Sequence, residues 1–357
     1  MINLEFLPAR FGDCIWIEYG DNQTTHRILI DGGTAGTRHN IRKRIEELPE
    51  DQRSFDLMVV THIDKDHIAG ILGLLEDEDE LPFKIKDFWF NAFKHLPEEA
   101  EEDESFGAKQ AERLTESILK HTITWNGAFN GGAVVMNLDE LPEIEIPGGM
   151  KLTLLSPTAE HLMKLRPKWI KEVEDAGMIP GGVLIEDDIL DDDEGFGATE
   201  IPNIDAIAQT PFNEDTSVAN GSSIAFLAEF EETKILFCGD AFPSQVLQAL
   251  NVISPEKKID LDLVKISHHG SSGSTNSELL EKLNCRNYVI STSGSTFHHP
   301  KADTISRIIK SSGDGAHLIF NYKSDINEIW DLNILKTQHN YTTTYPPNGE
   351  EGIKITL

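Results

Sequence analysis

The chain has 357 residues, of which 39% are hydrophobic, and its formal net charge is −30. The hydrophobic content is enough for a sizeable core, and we find no apolar stretch long enough to span a bilayer. The acidity argues against a non-specific surface for long duplex DNA, because such a surface needs Lys and Arg to displace counterions from phosphates. It does not exclude small phosphodiesters.

Cysteine usage and the N-terminus indicate the compartment. Cys14, Cys238 and Cys285 are scattered, odd in number and mostly within apolar runs, so we expect reduced core thiols. Cys238 is close in sequence to Asp240, but we interpret it as a core residue and not as a ligand. No basic region followed by an apolar run opens the sequence. We therefore expect a cytoplasmic protein.

Apolar runs and apolar residues at helical spacing predict alternating strands and helices. In chain order they are strands at 2–7, 13–19 and 26–31, a helix at 41–48, a strand at 55–60, a helix at 67–75, a strand at 86–91, a helix at 110–121, a strand at 151–155, a helix at 159–173, a hairpin of strands at 222–230 and 234–238, a helix at 243–250, a strand at 263–266, a helix at 276–283, a strand at 288–291, a helix at 304–311 and a strand at 317–320.

The strongest chemical signal is the segment 62–67, His-Ile-Asp-Lys-Asp-His, which follows the apolar run 57–60. Zinc, manganese and iron are bound by such mixtures of imidazole nitrogen and carboxylate oxygen. Two histidines and two acids exceed what one ion usually takes from so short a segment, so we expect a site for two ions. A polar loop that happens to contain histidines is the alternative, and the residues downstream favour the metal site.

Polar residues follow other predicted strands in the same way. Strand ends that meet at one edge of a sheet are where open α/β folds place their sites. The series therefore predicts one site at one edge. Its members are Asp31 after 27–30, Asp240 after 235–238, His268 and His269 after 263–266, and His298 and His299 after 288–290.

In these motifs the chain resembles the metallo-β-lactamase superfamily, whose His-x-His-x-Asp-His signature matches 62–67 with Asp64 in place of the second histidine. Within it, the closest likeness is to the soluble hydrolase domain of bacterial competence DNA-uptake (ComEC-type) proteins. The segments that carry this likeness are Gly12-Asp13, Asp31-Gly32-Gly33, 61–67, Gly239-Asp240, 268–271 (His-His-Gly-Ser) and His299-Pro300.

The resemblance covers most of the chain and implies an α/β fold, the metallo-β-lactamase αββα sandwich. We expect a single domain, 1–357, with acidic insertions at about 76–150 and 176–215. The insertions contain the acidic runs 98–104 and 186–194. Solvated surface segments are the simplest interpretation of these runs. A mimic of nucleic acid that shields the site, or a docking surface for a basic protein partner, are the functional alternatives.

The resemblance also implies two divalent transition-metal ions, Zn²⁺ or Mn²⁺. Sequence alone does not say which of the two adjacent histidines completes the second ion's set. The implied ligands are His62 and Asp64 for the first ion, Asp66 and His67 for the second, Asp240 between them, and one of His268 and His269 for the second.

One ligand of the usual set has no match. The family's third histidine for the first ion is expected before Asp240, but His95, His121 and His161 lie in helical or acidic contexts. The first ion is therefore expected to have fewer protein ligands, to bind more weakly, or to take a substrate oxygen as the missing ligand.

Two residues are expected to act in catalysis. By resemblance, Asp66 orients a hydroxide that the two ions activate, and His299 donates to the transition-state oxygen or leaving group. A turn residue before proline is the alternative for His299. Asp31 is expected to support a metal-bound histidine from behind.

The leading functional prediction is a metal-dependent phosphodiesterase or nuclease, acting on a small phosphodiester or single-stranded nucleic acid. The first alternative is hydrolysis of an ester, a lactone or, least favoured, a β-lactam. The second is a metal-binding partner subunit of a bacterial defence-type complex, docking through the acidic runs.

Overall fold

A computed structural model of the chain describes residues 1–21, 23–77, 79–97, 108–175, 201–313, 315–347 and 349–357, without the side chains at 172–175. Both acidic runs, 98–104 and 186–194, lie outside the described residues, and so do the predictions made about them.

The strands make up the two main layers and two small sheets. They are β1 (Ile2–Phe6), β2 (Ile15–Gly20), β3 (Thr25–Ile30), β4 (Ser54–Phe55), β5 (Leu57–Val59), β6 (Lys84–Ile85), β7 (Phe88–Trp89), β8 (Glu143–Ile146), β9 (Met150–Ser156), β10 (Ala225–Phe230), β11 (Thr233–Phe237), β12 (Ile259–Asp260), β13 (Leu263–Lys265), β14 (Leu283–Asn284), β15 (Asn287–Ile290), β16 (His317–Phe320), β17 (Thr342–Thr344) and β18 (Ile353–Thr356). The small sheets are β4-β6 and β12-β14.

Helices connect the strands. They are α1 (Arg38–Glu46), α2 (Lys65–Glu76), α3 (Ala108–Lys120), α4 (Ala159–Asp175), α5 (Ile204–Ile207), α6 (Val218–Gly221), α7 (Pro243–Ile253), α8 (Ser277–Lys282), α9 (Ala302–Ser311) and α10 (Asn333–His339).

The strands form two large sheets. The first has the order β18-β1-β2-β3-β5-β7, and the second has the order β17-β16-β15-β13-β11-β10-β9-β8. Each sheet has an antiparallel part and a parallel part. The parallel strands are β3, β5 and β7 in the first sheet, and β11, β13, β15, β16 and β17 in the second. Because parallel strands end at the same edge, the residues after β3, β5, β11, β13 and β15 can meet.

Alternation along the strands of the first sheet divides its side chains between two layers. In β2, Ile15 and Ile17 belong to the core between the sheets, whereas Trp16 faces the helices outside. In β5, Leu57 and Val59 face the second sheet and Met58 faces the helices. A strand covered on both faces has no polar positions, as the buried run 57–59 shows.

The layers confirm the expected αββα sandwich. Every predicted helix and strand is found, and most of their ends differ from the predicted bounds by a few residues. Elements that we did not predict include β8, β17, β18 and α10. The ranges expected as insertions also contribute to the body, since β7, α3 and β8 lie within 76–150 and α5 lies within 176–215. Within the described ranges, no helix combines the length and apolar character needed to cross a membrane.

Candidate metal centre

The site is built around one carboxylate oxygen. Asp240 follows β11, and its Oδ2 is surrounded by the Nε2 atoms of four histidines. These atoms lie 3.8 Å (His62), 3.3 Å (His67), 3.9 Å (His268) and 3.7 Å (His269) from Oδ2.

Each of the four imidazoles has a partner at Nδ1, behind the ring. A ring that donates its Nδ1–H keeps a lone pair at Nε2, so acceptors at Nδ1 turn ligand nitrogens towards Asp240. The partners are Thr61 Oγ1 at 3.0 Å and Ser223 Oγ at 3.4 Å for His62, Asp31 Oδ2 at 2.8 Å for His67, Asp215 Oδ2 at 3.2 Å for His268 and the Ser291 carbonyl oxygen at 2.8 Å for His269.

The separations between ligand atoms suit a metal ion. Nε2 of His67 and Nε2 of His269 are 3.2 Å apart. Nitrogen ligands of tetrahedral zinc, each about 2.0–2.1 Å from the ion, are roughly 3.3 Å apart. Asp66 Oδ2 lies 3.4 Å from His269 Nε2, and Asp64 Oδ2 lies 3.5 Å from His62 Nε2. The set of imidazole and carboxylate donors therefore fits divalent transition metals.

Unsatisfied buried atoms support the same conclusion. Among the described residues, Nε2 of His62 and Oδ1 of Asp240 are buried without a hydrogen-bond partner. Such atoms are costly, by about 1–3 kcal/mol each, unless a ligand meets them. Both belong to the ring of groups around Asp240.

The charges of the cluster shift the pKa values of its own side chains. Burial acts to raise the pKa of Asp66, but the charge of His67 and the hydrogen bond with His269 lower it to about 2. Burial acts to lower the pKa of His67, but the charges of Asp240, Asp31 and Asp66 raise it well above its usual value. Without metal, the cluster therefore holds protons on imidazole, and a metal ion would displace them.

A buried ion pair lies beside this cluster. Lys265, in β13, places Nζ 2.5 Å from Asp13 Oδ2 and also donates to the carbonyl oxygen of Ile266 at 2.8 Å. The two charged side chains are only 1% and 2% exposed. A charge this deep is tolerated only when it is paired.

Asp13 is close enough to be considered as a ligand. With His67, Asp240 and His269, it offers ligand atoms that all lie within 4.8 Å of one another. However, its Oδ1 lies 3.6 Å from Nδ1 of His269, the nitrogen that faces away from Asp240. Asp66 instead faces the inward Nε2. We therefore assign Asp66 to the inner set and place Asp13 beside it.

Left-handed backbone conformations position the two adjacent histidines. His268 has φ 45° and ψ 49°, and His269 has φ 55° and ψ 15°. Each such residue costs on the order of 1–3 kcal/mol, and strain of this kind clusters at functional sites. Here it directs the rings of two consecutive residues to the same carboxylate.

His299 lies next to this centre. Its ring centroid is 5.5 Å from that of His268, and it stacks on Phe297 at 5.9 Å. Phe297 is 52% exposed and also contacts Phe11. Burial, with the positive charges of His269 and His268, lowers the pKa of His299 to about 3. The ring is therefore neutral near pH 7.

The structure brings the predicted site residues together. Contacts of 3.9 Å or less join the seven predicted metal ligands into one network, and Asp31 hydrogen-bonds His67 as expected. Cys238 is a buried core residue, also as expected. The three histidines without a match make other contacts: His95 with Ala92 N, His121 with Leu75 O and His161 with Thr158 Oγ1.

Supporting residues were missed in the sequence. Asp13 belongs to the Gly12-Asp13 motif, for which the sequence predicts no chemical role. Asp215 lies in the range 176–215, which is expected to be an insertion. Lys265 did carry a signal, because a lysine within an apolar strand is seldom buried unless it is paired. A hydroxyl such as that of Ser223, which also accepts a hydrogen bond from Asp240 N, gives no such signal.

Fold and site together define a metal-dependent hydrolase-like fold with a buried cluster of aspartate and histidine. The sequence profile described as "Metallo-beta-lactamase superfamily" matches residues 7–294, and the chain belongs to this superfamily. No curated protein shows a significant sequence match to the chain.

Solved structures with a similar fold are distant. The Zn²⁺-bound PqqB of Methylobacterium extorquens is 12% identical, with a TM-score of 0.43 and coverage of 100% of both chains. The metallo-β-lactamase fold protein YhfI of Bacillus subtilis is 10% identical, with a TM-score of 0.40 and coverage of 99% of this chain and 98% of YhfI. CmlA of Streptomyces venezuelae, a diiron β-hydroxylase, is 12% identical, with a TM-score of 0.42 and coverage of 99% of this chain and 54% of CmlA. Likenesses this weak do not bear on the activity of the chain.

Proposed function

We propose that the chain is a metal-dependent phosphodiesterase that binds two divalent transition-metal ions, zinc or manganese, at the centre around Asp240. The observation that carries the proposal is the set of four inward Nε2 atoms around one carboxylate, with Asp64 and Asp66 at its sides. So many imidazole and carboxylate donors exceed the needs of a single tetrahedral ion.

The substrate class rests on different features. The His-His-Gly-Ser and His-Pro motifs resemble those of the competence-type hydrolases. In sequence, three cations are neighbours of the site motifs in a chain of net charge −30: Arg10 near Asp13, Lys65 within 62–67 and Lys301 after His299. Cations concentrated near the site would attract an anionic phosphodiester that the rest of the chain repels. A small phosphodiester or single-stranded nucleic acid fits this charge distribution better than a long duplex does.

The residues of the centre would divide the chemistry among them. When bound, a pair of divalent ions supplies Lewis acidity and lowers the pKa of a water, which provides a nucleophile near neutral pH. Asp66, ionised at neutral pH, accepts a hydrogen bond from the attacking water and so orients it. His299, as a neutral ring, donates a hydrogen bond to the leaving oxygen. Asp31 holds His67 in the tautomer that keeps Nε2 free.

Metal analysis followed by a substrate panel tests the proposal. We expect about two ions per chain in the purified protein or after titration, and hydrolysis of bis(p-nitrophenyl) phosphate with the metal restored. Asp66→Ala should abolish hydrolysis and lose the second ion while the chain stays folded. A protein that takes up no metal, or one that hydrolyses lactones and esters but no phosphodiester, would overturn the proposal. The second result would favour the ester or lactone alternative.

His299 offers a sharper test of the reaction type. His299→Ala should keep the metal content of the parent and lower the rate by roughly 10²-fold or more. The loss should shrink for a nitrophenyl leaving group, which needs little help to depart. His299→Gln, which can still donate a hydrogen bond, serves as the matched variant. Loss of metal in His299→Ala would instead make this residue a ligand.

A further inference from the structure

The two halves of the proposed centre are unequally supplied with ligands. Asp66, His67 and His269 lie within 3.2–3.9 Å of one another through their ligand atoms, and all three adjoin the second ion's position. The other half has only His62 and Asp64, with Asp240 shared between the two. One protein ligand is missing from the first ion's set.

Among the described residues, His268 is the remaining histidine with Nε2 within 4 Å of Asp240, at 3.9 Å from Oδ2. Its ring centroid is 6.0 Å from that of His269, with an interplanar angle of 75°. The rings of these neighbours therefore approach the shared carboxylate from different directions. His269 is fully buried against Asp66 and His67, whereas the side chain of His268 is 25% exposed. Among the described residues, no hydrogen bond or ion pair joins His268 to Asp66 or His67, and its Nε2 is therefore available to the first ion.

Asp215 fixes which nitrogen of His268 is available. Its Oδ2 lies 3.2 Å from Nδ1 of His268 and accepts from Nδ2 of Asn220 at 2.6 Å, and its Oδ1 accepts from Ser217 N at 2.9 Å. Nδ2 of Asn220 also lies 3.2 Å from Nδ1 of His268, but it donates to the carboxylate, which is the shorter contact and the stronger acceptor. A carboxylate held by these donors can accept Nδ1–H of His268 but cannot donate to it. With Nδ1–H donated to Asp215, the proton that a metal ion would displace is the one on Nε2, and this gives the carboxylate–histidine–metal arrangement that metal sites use.

We infer that His268, positioned by Asp215, is the third protein ligand of the first ion, in place of the histidine that the sequence lacks. This inference rests on the proposed function only for the presence of two ions. The first set is then His62, Asp64 and His268, the second set is Asp66, His67 and His269, and Asp240 lies between them. The alternative is that His268 contacts substrate and binds no metal.

Manganese titration followed by electron paramagnetic resonance tests this assignment on the full chain. The wild type should bind two ions with spin coupling between them. His268→Ala and His62→Ala should each bind one ion with an uncoupled six-line spectrum. The double variant His62→Ala/His268→Ala should still bind that one ion, because both residues serve the same position. His268→Ala/His269→Ala should be impaired at both positions.

Asp215→Asn tests the positioning role. It should lower the affinity for one of the two ions by roughly 10- to 100-fold, as loss of such a supporting group does, and leave the affinity for the other ion unchanged. The ion that is retained also reports that the variant is folded. If His268→Ala keeps both ions at parental affinity, the inference is wrong and the substrate-contact alternative stands. If the wild type binds two ions as expected but hydrolyses no phosphodiester, the proposed function fails and the ligand assignment survives.

Discussion

Replacing Lys265 with Met tests the buried ion pair beside the metal centre. The substitution keeps most of the length of the side chain and removes its charge. Asp13 then stays buried with Oδ2 unpaired, in addition to Oδ1, which already has no hydrogen-bond partner. Breaking a buried pair in this way costs about 3–5 kcal/mol. Since domains are stable by about 5–15 kcal/mol, a large part of the free energy of unfolding should be lost.

Urea unfolding of the metal-free protein, followed by tryptophan fluorescence, measures the loss. Lys164→Met is the matched control, because it removes the same charge from an exposed helical pair with Glu160 and should leave stability nearly unchanged. The double variant Asp13→Asn/Lys265→Met should recover part of the loss by removing the stranded carboxylate. A Lys265→Met variant as stable as Lys164→Met would refute this account of the pair.

Two further predictions follow from local geometry. A Cβ on Gly12 would lie 1.8 Å from the carbonyl oxygen of Asp66, so Gly12→Ala should displace the 62–67 segment and reduce metal content, whereas Gly36→Ala, with nothing within 4 Å, should not. Burial and then Lys94 lower the pKa of His95 to about 4, below the value of about 6.5 expected on unfolding. The contribution of neutral His95 to the free energy of unfolding should therefore be fully present above pH 6.5 and decline as the pH falls towards 4. The free energy of unfolding of His95→Gln should depend less steeply on pH across this range.

Buried strands could be predicted because their own residues are apolar. The run 57–60 is apolar throughout, since β5 is covered by the second sheet on one face and by helices on the other. The strands β17 (Thr342–Thr344) and β18 (Ile353–Thr356) have no such run, and their residues are half-exposed or exposed. Their pairing with β16 and β1 makes them strands, and that is a long-range property that local sequence does not contain.

The same distinction holds for the site. The ligand candidates could be found because their residue types and their positions after strands carry chemical meaning. The proposed assignment of His268 and His269 to different ions could not be predicted, because it depends on a left-handed turn and on Asp215, which is 53 positions away in sequence. That carboxylate reaches His268 through a loop whose contacts with Gly273 and Asn220 exist only in the folded chain.

The division of the proposed ligands between the two sheets has a consequence for stability. The segment 62–67 follows β5 of the first sheet, whereas Asp240, His268 and His269 follow β11 and β13 of the second. Ions bound there would cross-link the two halves of the sandwich, and unfolding would have to release them. At a free-ion concentration 100 times the Kd, each ion would add about 2.7 kcal/mol to the free energy of unfolding. The supply of metal would then affect the stability of the folded protein as well as its rate of hydrolysis.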